Sequence, residues 1–169
     1  MVFNKKWFFL LLFVIIIGMG IFIINSGESF MKISNLERKY EISKNVSITI
    51  QKAIISDPLP DFITITLLNH SNIVYGYGLG FNIEKNKNGI WHILPCGIAV
   101  ADIAFELFAY SSVEEKLDIT RFHDELIPGH YRISMKVFEW NNNPERRNEL
   151  ILGEFIVESA FIRNAASNN

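Results

Sequence analysis

The chain has 169 residues, 49% of them apolar, with 16 Lys and Arg against 18 Asp and Glu and a formal net charge of −2. That length bounds it to one ordinary domain plus an appendage. The near-neutral balance argues against a nucleic-acid partner, which would select a clustered basic surplus. The apolar content excludes a disordered chain. A single cysteine, Cys96, excludes an internal disulfide framework and a Cys-rich metal site.

Much of the apolar surplus sits in residues 7–24, WFFLLLFVIIIGMGIFII, a run without charge, Asn, Gln or Pro. As a helix at about 1.5 Å per residue it would span roughly 27 Å, close to the hydrocarbon thickness of a bilayer. It is apolar all round, unlike a surface helix packed on a core. Lys5 and Lys6 precede it, so the positive-inside rule places residues 1–6 in the cytoplasm and the rest of the chain outside. Trp7 and Phe8 stand at the interface. The run is long for a signal peptide and ends in Ile-Ile-Asn-Ser-Gly-Glu without a small-x-small cleavage site, which favours an uncleaved anchor over a removed leader. Without Lys5 and Lys6 the remainder carries 14 basic against 18 acidic residues, a net −4. It offers no polybasic surface to anionic lipid.

Residues 25–45 are polar and charge-mixed and read as a stalk. Within it, Ser34 or Asn35 could cap a short helix through Glu37, Arg38 and Glu41. From residue 46 the period becomes two. Ile48 and Ile50 alternate with polar neighbours, and Asp57-Pro58-Leu59-Pro60 makes a turn. Ile63, Ile65 and Leu67 then alternate with Phe62, Thr64 and Thr66. In the next run Ile73, Tyr75, Tyr77, Leu79, Phe81 and Ile83 share one face; Gly76, Gly78, Gly80, Asn82 and Glu84 share the other. Lys87-Asn88-Gly89 signals a hairpin into a short strand carrying Trp91, Ile93 and Pro95. Asp102–Tyr110 reads as a strand or a helical turn. Val113, Leu117 and Ile119 form a further strand, followed by the turn Leu126-Ile127-Pro128-Gly129. Tyr131, Ile133, Met135 and Val137 alternate in the next strand. The loop Asn141–Arg147 leads to a last strand with Ile151, Phe155 and Val157, and residues 159–169 form a flexible tail. About seven strands without a long helix predict an all-β, antiparallel β-sandwich over residues 46–158.

Several of these segments resemble the immunoglobulin-like domain of Gram-positive envelope proteins. The resemblance rests on Asn69 at a strand end, Tyr77-Gly78 leading to Glu84-Lys85, and Gly89-x-Trp91. It continues with Pro128-Gly129-x-Tyr131-Arg132 and closes on Glu154-Phe155. It implies an extracytoplasmic, tethered module and supplies no catalytic residue. Cys96–Tyr110 departs most from the pattern. Read physically, Pro128 presets φ and Gly129 permits the bend into the strand. Tyr131 then stands where a tyrosine corner would bond back to upstream backbone. Trp91 is expected to fill the inter-sheet core.

No residue pattern points to catalysis. A Gly-x-Ser-x-Gly elbow is missing, and Asp57 and Asp61 bracket a proline turn. Gly76, Gly78 and Gly80 are not followed by a helix, so they do not cradle phosphate. They read as a strand face that another backbone approaches closely, or as a flat face docking a partner. His70, His92, His123 and His130 are scattered; the weak metal candidates are His123, Asp124 and His130, which flank one turn. Cys96 is either a reactive thiol or a small buried apolar group. Asn45 and Asn69 open Asn-x-Ser triplets. The expectation is a non-enzymatic, cofactor-free, single-pass membrane protein whose outer domain binds an envelope protein or polymer or has a structural role. The alternatives are a ligand- or metal-sensing accessory subunit using the strand-end loops, and a secreted form.

Overall fold

Alternating burial with a period of two runs through several strands of the computed structural model, which describes residues 31–95, 103–141 and 147–159. The anchor predicted at 7–24, Cys96, most of the 141–147 loop and all but the first residue of the tail lie outside them. Among the described residues no helix is long and apolar enough to cross a membrane.

Among the described residues eleven strands form two sheets. They are β1 (Lys32–Ile33), β2 (Glu41–Ile42), β3 (Val46–Ile50), β4 (Ile54–Ser56), β5 (Phe62–Asn69), β6 (Tyr75–Lys87), β7 (Ile90–Ile93), β8 (Ala104–Leu107), β9 (Ser112–Asp118), β10 (Gly129–Glu139) and β11 (Asn148–Glu158). The larger sheet runs β1-β7-β6-β10-β11-β2, with β8 also paired to β6 and β4 also paired to β11. The smaller sheet is β3-β5-β9. A one-turn helix α1 (Leu36–Lys39) and a 3-10 turn (Thr120–Phe122) complete the elements. The result is a sandwich: Ile48, Ile65, Leu67 and Leu117 of the small sheet and Tyr77, Ile83, Ile133, Val137 and Phe155 of the large one are all buried. Burying these side chains from both sheets supplies the dominant stabilisation.

The turns follow from their residues. Asn88 and Gly89 both take positive φ, 54° and 82°, as a two-residue hairpin of matching twist requires. Asn86 Oδ1 accepts the Gly89 amide at 2.9 Å and pins the turn. Asp118 accepts from both the hydroxyl and the amide of Thr120, at 2.6 and 2.9 Å, and so starts the 3-10 turn. The hydroxyl bond first, then the amide bond, holds its carboxyl below the usual range. An NMR titration of Asp118 should therefore show a midpoint below that of a free aspartate. Its stabilisation is full above the ordinary carboxylate pKa and is lost as pH falls through the depressed value. An unshifted midpoint would mean these bonds do not form in solution.

Beyond the strand number and the parallel pairing of β2 and β4 with β11, where the alternation predicts about seven antiparallel strands, the structure alters three expectations. The stalk is shorter than expected: β1 pairs with β7, and β2 lies parallel to β11, so residues from Lys32 onward are tied to the sandwich by backbone hydrogen bonds. The helix there ends at Lys39, because Glu41 belongs to β2. Asn35 makes no side-chain cap; Ser34 Oγ meets the Leu36 amide at 3.5 Å. Leu79 leaves the core face: between Tyr77 and Phe81 three residues stand opposite the single Lys136, a bulge that turns Leu79 outward.

Trp91 is the third correction. It is half-buried and sits on the outer face of the large sheet. The hairpin register pairs it with Asn86, and residues paired across a sheet point to the same side, here the side of Glu84 and Arg132. Leu94, not Trp91, is the buried apolar residue of this segment. Since Trp91 packs on a guanidinium and not in the core, Trp91→Ala should cost about 1–2 kcal/mol, well short of a core tryptophan's deletion. Chemical denaturation reads the difference, and a loss above about 3 kcal/mol would return Trp91 to the core.

Candidate functional site

The segment from Ile103 to Ser111 holds the most exposed aromatic surface of the domain. Phe108 and Tyr110 are 61% and 72% exposed, and Ile103 and Phe105 are exposed beside them. Among the described residues β8 pairs only with β6, through Tyr75↔Leu107 to Gly78↔Ala104. The segment read as strand or helical turn is thus a strand followed by a tight loop.

The loop is held from below. Asn69 is 1% exposed, at the end of β5 on the core face. Its Nδ2 donates to the carbonyls of Ile73 (2.7 Å), Leu107 (3.2 Å) and Phe108 (3.0 Å). Its Oδ1 accepts from the Ser71 amide and hydroxyl, at 3.0 and 2.8 Å. The Tyr110 amide donates to Ser71 O at 3.0 Å, and Ser111 Oγ to Phe108 O at 2.8 Å. Tyr110 is forced to φ 52°, a left-handed backbone that a tyrosine rarely adopts. Two aromatic rings are thereby presented to solvent on a backbone already ordered. Such rings supply binding energy at small entropic cost. Sequence reasoning singled out neither Phe108 nor Tyr110. The available signal was the run of large apolar residues at 103, 105, 107 and 108.

The glycines of β6 are placed differently from one another. A side chain at Gly76 would overlap the Phe138 ring, 2.3 Å away, and Trp140, 2.7 Å away. Those two rings stack on each other at 6.0 Å and cover that part of the face. A Cβ added at Gly78 would stand 3.2 Å from the Ile103 carbonyl oxygen, while one at Gly80 would meet nothing, and Gly80 belongs to the bulge. The face is therefore not one flat open surface. Gly76→Val should destabilise the domain by about 1–3 kcal/mol through overpacking, whereas Gly80→Ser should change its melting temperature little. Equal effects would contradict this arrangement.

The histidines keep separate company. His123 Nε2 bonds the Pro60 carbonyl oxygen at 3.1 Å, whereas His130 Nε2 meets Glu154 Oε2 at 2.8 Å, with its ring edge against Trp91. The turn does not bring His123, Asp124 and His130 into one ligand set, and no group of three His, Cys, Asp or Glu suited to a metal occurs among the described residues. His70 bonds Ser47 Oγ, and His92 lies against Ile90 O. Asn69 is too buried to accept a glycan, while Asn45 Nδ2 donates to the Tyr75 hydroxyl at 2.8 Å. A groove of about 400 Å³ runs beside Gln51, Lys52, Asp57, Pro60 and Phe62, with no convergent set of polar groups.

The corner at β10 has clear chemistry, but it is structural. Pro128 and Gly129 lead into the strand, and the Tyr131 hydroxyl donates to Ile127 O at 2.6 Å. The ring stacks on Phe155 at 5.5 Å. Burial pushes the phenol up to about 12. Two further phenols on the core side, Tyr75 and Tyr77, are also raised, first by burial. Tyr77 donates to Glu115 at 2.7 Å.

The two-sheet topology and the tyrosine corner define an immunoglobulin-like sandwich. The bacterial Ig-like domain family matches residues 42–150, and the chain belongs to that family. Domains of this family are generally not enzymes. No curated protein matches the chain.

Proposed function

We propose that the chain is a single-pass membrane protein, N-terminus in the cytoplasm, that displays one bacterial Ig-like domain outside the cell as a non-catalytic module binding an envelope protein. The aromatic loop carries this reading: Phe108 and Tyr110 stand exposed on a backbone held by buried Asn69. The apolar run at 7–24, with Lys5 and Lys6 before it, supports the tether. A tether raises the effective concentration of the domain near envelope partners, so a small aromatic contact suffices.

The test is cross-linking in intact cells with full-length protein as bait, wild type against Phe108→Ser/Tyr110→Ser. A specific envelope protein recovered by wild type and lost with the double variant is the expected result. Recovery unchanged by the double variant would remove the loop from the contact. Release of the protein from washed membranes by carbonate would contradict the tether.

A further inference from the structure

β1 and β2 lie at opposite ends of the path through the large sheet. Only residues 34–40 join them, so this segment, including α1, crosses the sheet's outer face. It does so over a cluster of buried polar residues. Glu84 and Ser134 are fully buried there and Arg132 is 4% exposed. Arg132 Nη2 donates to Glu84 at 2.8 Å, and its guanidinium lies 4.3 Å from the Trp91 ring centre. From above, Glu37 on α1 accepts from Arg132 Nη1. Tyr40 rests over Lys136 at 5.0 Å, and the hydrogen bond from Lys136 lowers its phenol pKa.

The crossing segment is weakly fastened. No residue from Lys32 to Asn45 is buried, so lifting it would sacrifice no core side chain. Its backbone ties at the two edges are two register pairs each, plus Ser34 N to Trp91 O (2.8 Å) and Ser43 N to Leu150 O (2.9 Å). The face beneath is poorly satisfied: Glu84 Oε1, Arg132 Nε and Ser134 Oγ are buried without a hydrogen-bond partner among the described residues. Water would satisfy all three once the segment lifts. Few buried contacts above and unmet polar groups below are the conditions for a local opening that leaves the rest folded.

We infer that residues 32–43 are a detachable strap. It opens as a unit while the sandwich stays intact, and uncovers Arg132, Ser134 and Trp91 as a second, polar face. Glu37 is its latch, a carboxylate seated on a guanidinium that is otherwise enclosed. The strap follows the apolar run after seven residues in the chain, so tension on a tether would reach the strap before any core strand. That link to tension rests on the tethered reading; the opening itself does not.

Hydrogen exchange on the full-length chain tests it without reference to a membrane. Peptides covering 32–43 should exchange at least about 100-fold faster than those covering Ile83 and Ile133. Glu37→Gln should speed the strap a further three- to tenfold, roughly the strength of a partly exposed carboxylate–guanidinium contact, and leave the core peptides unchanged. Exchange of the strap at the core's rate would overturn the inference, as would a Glu37→Gln effect spread equally over strap and core. Since this readout needs no tether, failure of the strap and failure of the anchor would be told apart.

Discussion

Replacing Arg132 with methionine is expected to destabilise the domain by about 3–5 kcal/mol, the usual cost of orphaning one half of a buried ion pair. Glu84 is fully buried and accepts a hydrogen bond from Arg132 Nη2. With the guanidinium gone, Glu84 would be left buried without its ionic partner. The companion variant decides the interpretation. Arg132→Met with Glu84→Leu removes both charges, and such exchanges are often neutral or stabilising. We expect the double variant to lie within about 1–2 kcal/mol of wild type. Urea unfolding with an unchanged slope is the measurement. A single variant as stable as wild type would mean that Glu84 is solvated in the native state. A double variant as unstable as the single one would shift the weight from charge to packing of the Arg132 stem on Trp91.

The same residues show what the sequence made legible. Strands β3, β5, β9, β10 and β11 follow from strict alternation, because each buries one face against the opposite sheet. Tyr131 was visible because the corner is local: Pro128, Gly129 and the hydroxyl acceptor Ile127 O all lie within four residues. Trp91 was misplaced although the needed information was present. The Asn88-Gly89 turn pairs 87 with 90 and 86 with 91, and the odd residues of β6 face the core, so Trp91 falls outside. Aromatic size suggested the core, and register overruled it. The strap was not legible, since β1 and β2 are two-residue strands with no apolar period; only long-range pairing makes them strands. The bulge at Gly78–Gly80 was hidden too, because alternation continues through it with the same parity. The aromatic loop escaped because exposure of Phe108 depends on Asn69, 39 residues earlier in the chain.

That dependence gives the second large effect. Asn69→Ala should cost about 2–4 kcal/mol, because it strands the partly or fully buried carbonyls of Ile73, Leu107 and Phe108 and deprives the Ser71 amide and hydroxyl of their acceptor. The sum is less than five separate hydrogen bonds, since several of these groups can turn to water at the rim. Asn69→Asp is nearly isosteric, yet it should be no better at neutral pH. A carboxylate has no N–H to offer three carbonyl oxygens and would repel them. Thermal melts of the two variants test this, and an Asp variant as stable as wild type would show that the amide's donors are dispensable. The contrast that links this to binding is Tyr110→Gly. Glycine accepts the left-handed backbone at φ 52° without strain, so this variant should keep its stability to within about 1 kcal/mol while losing an exposed ring. If partner capture falls in Tyr110→Gly with the melt unchanged, the ring itself is the contact. If capture falls only in the Asn69 variants, the loop matters through the order it imposes on its neighbours, and the binding surface lies elsewhere on the same edge.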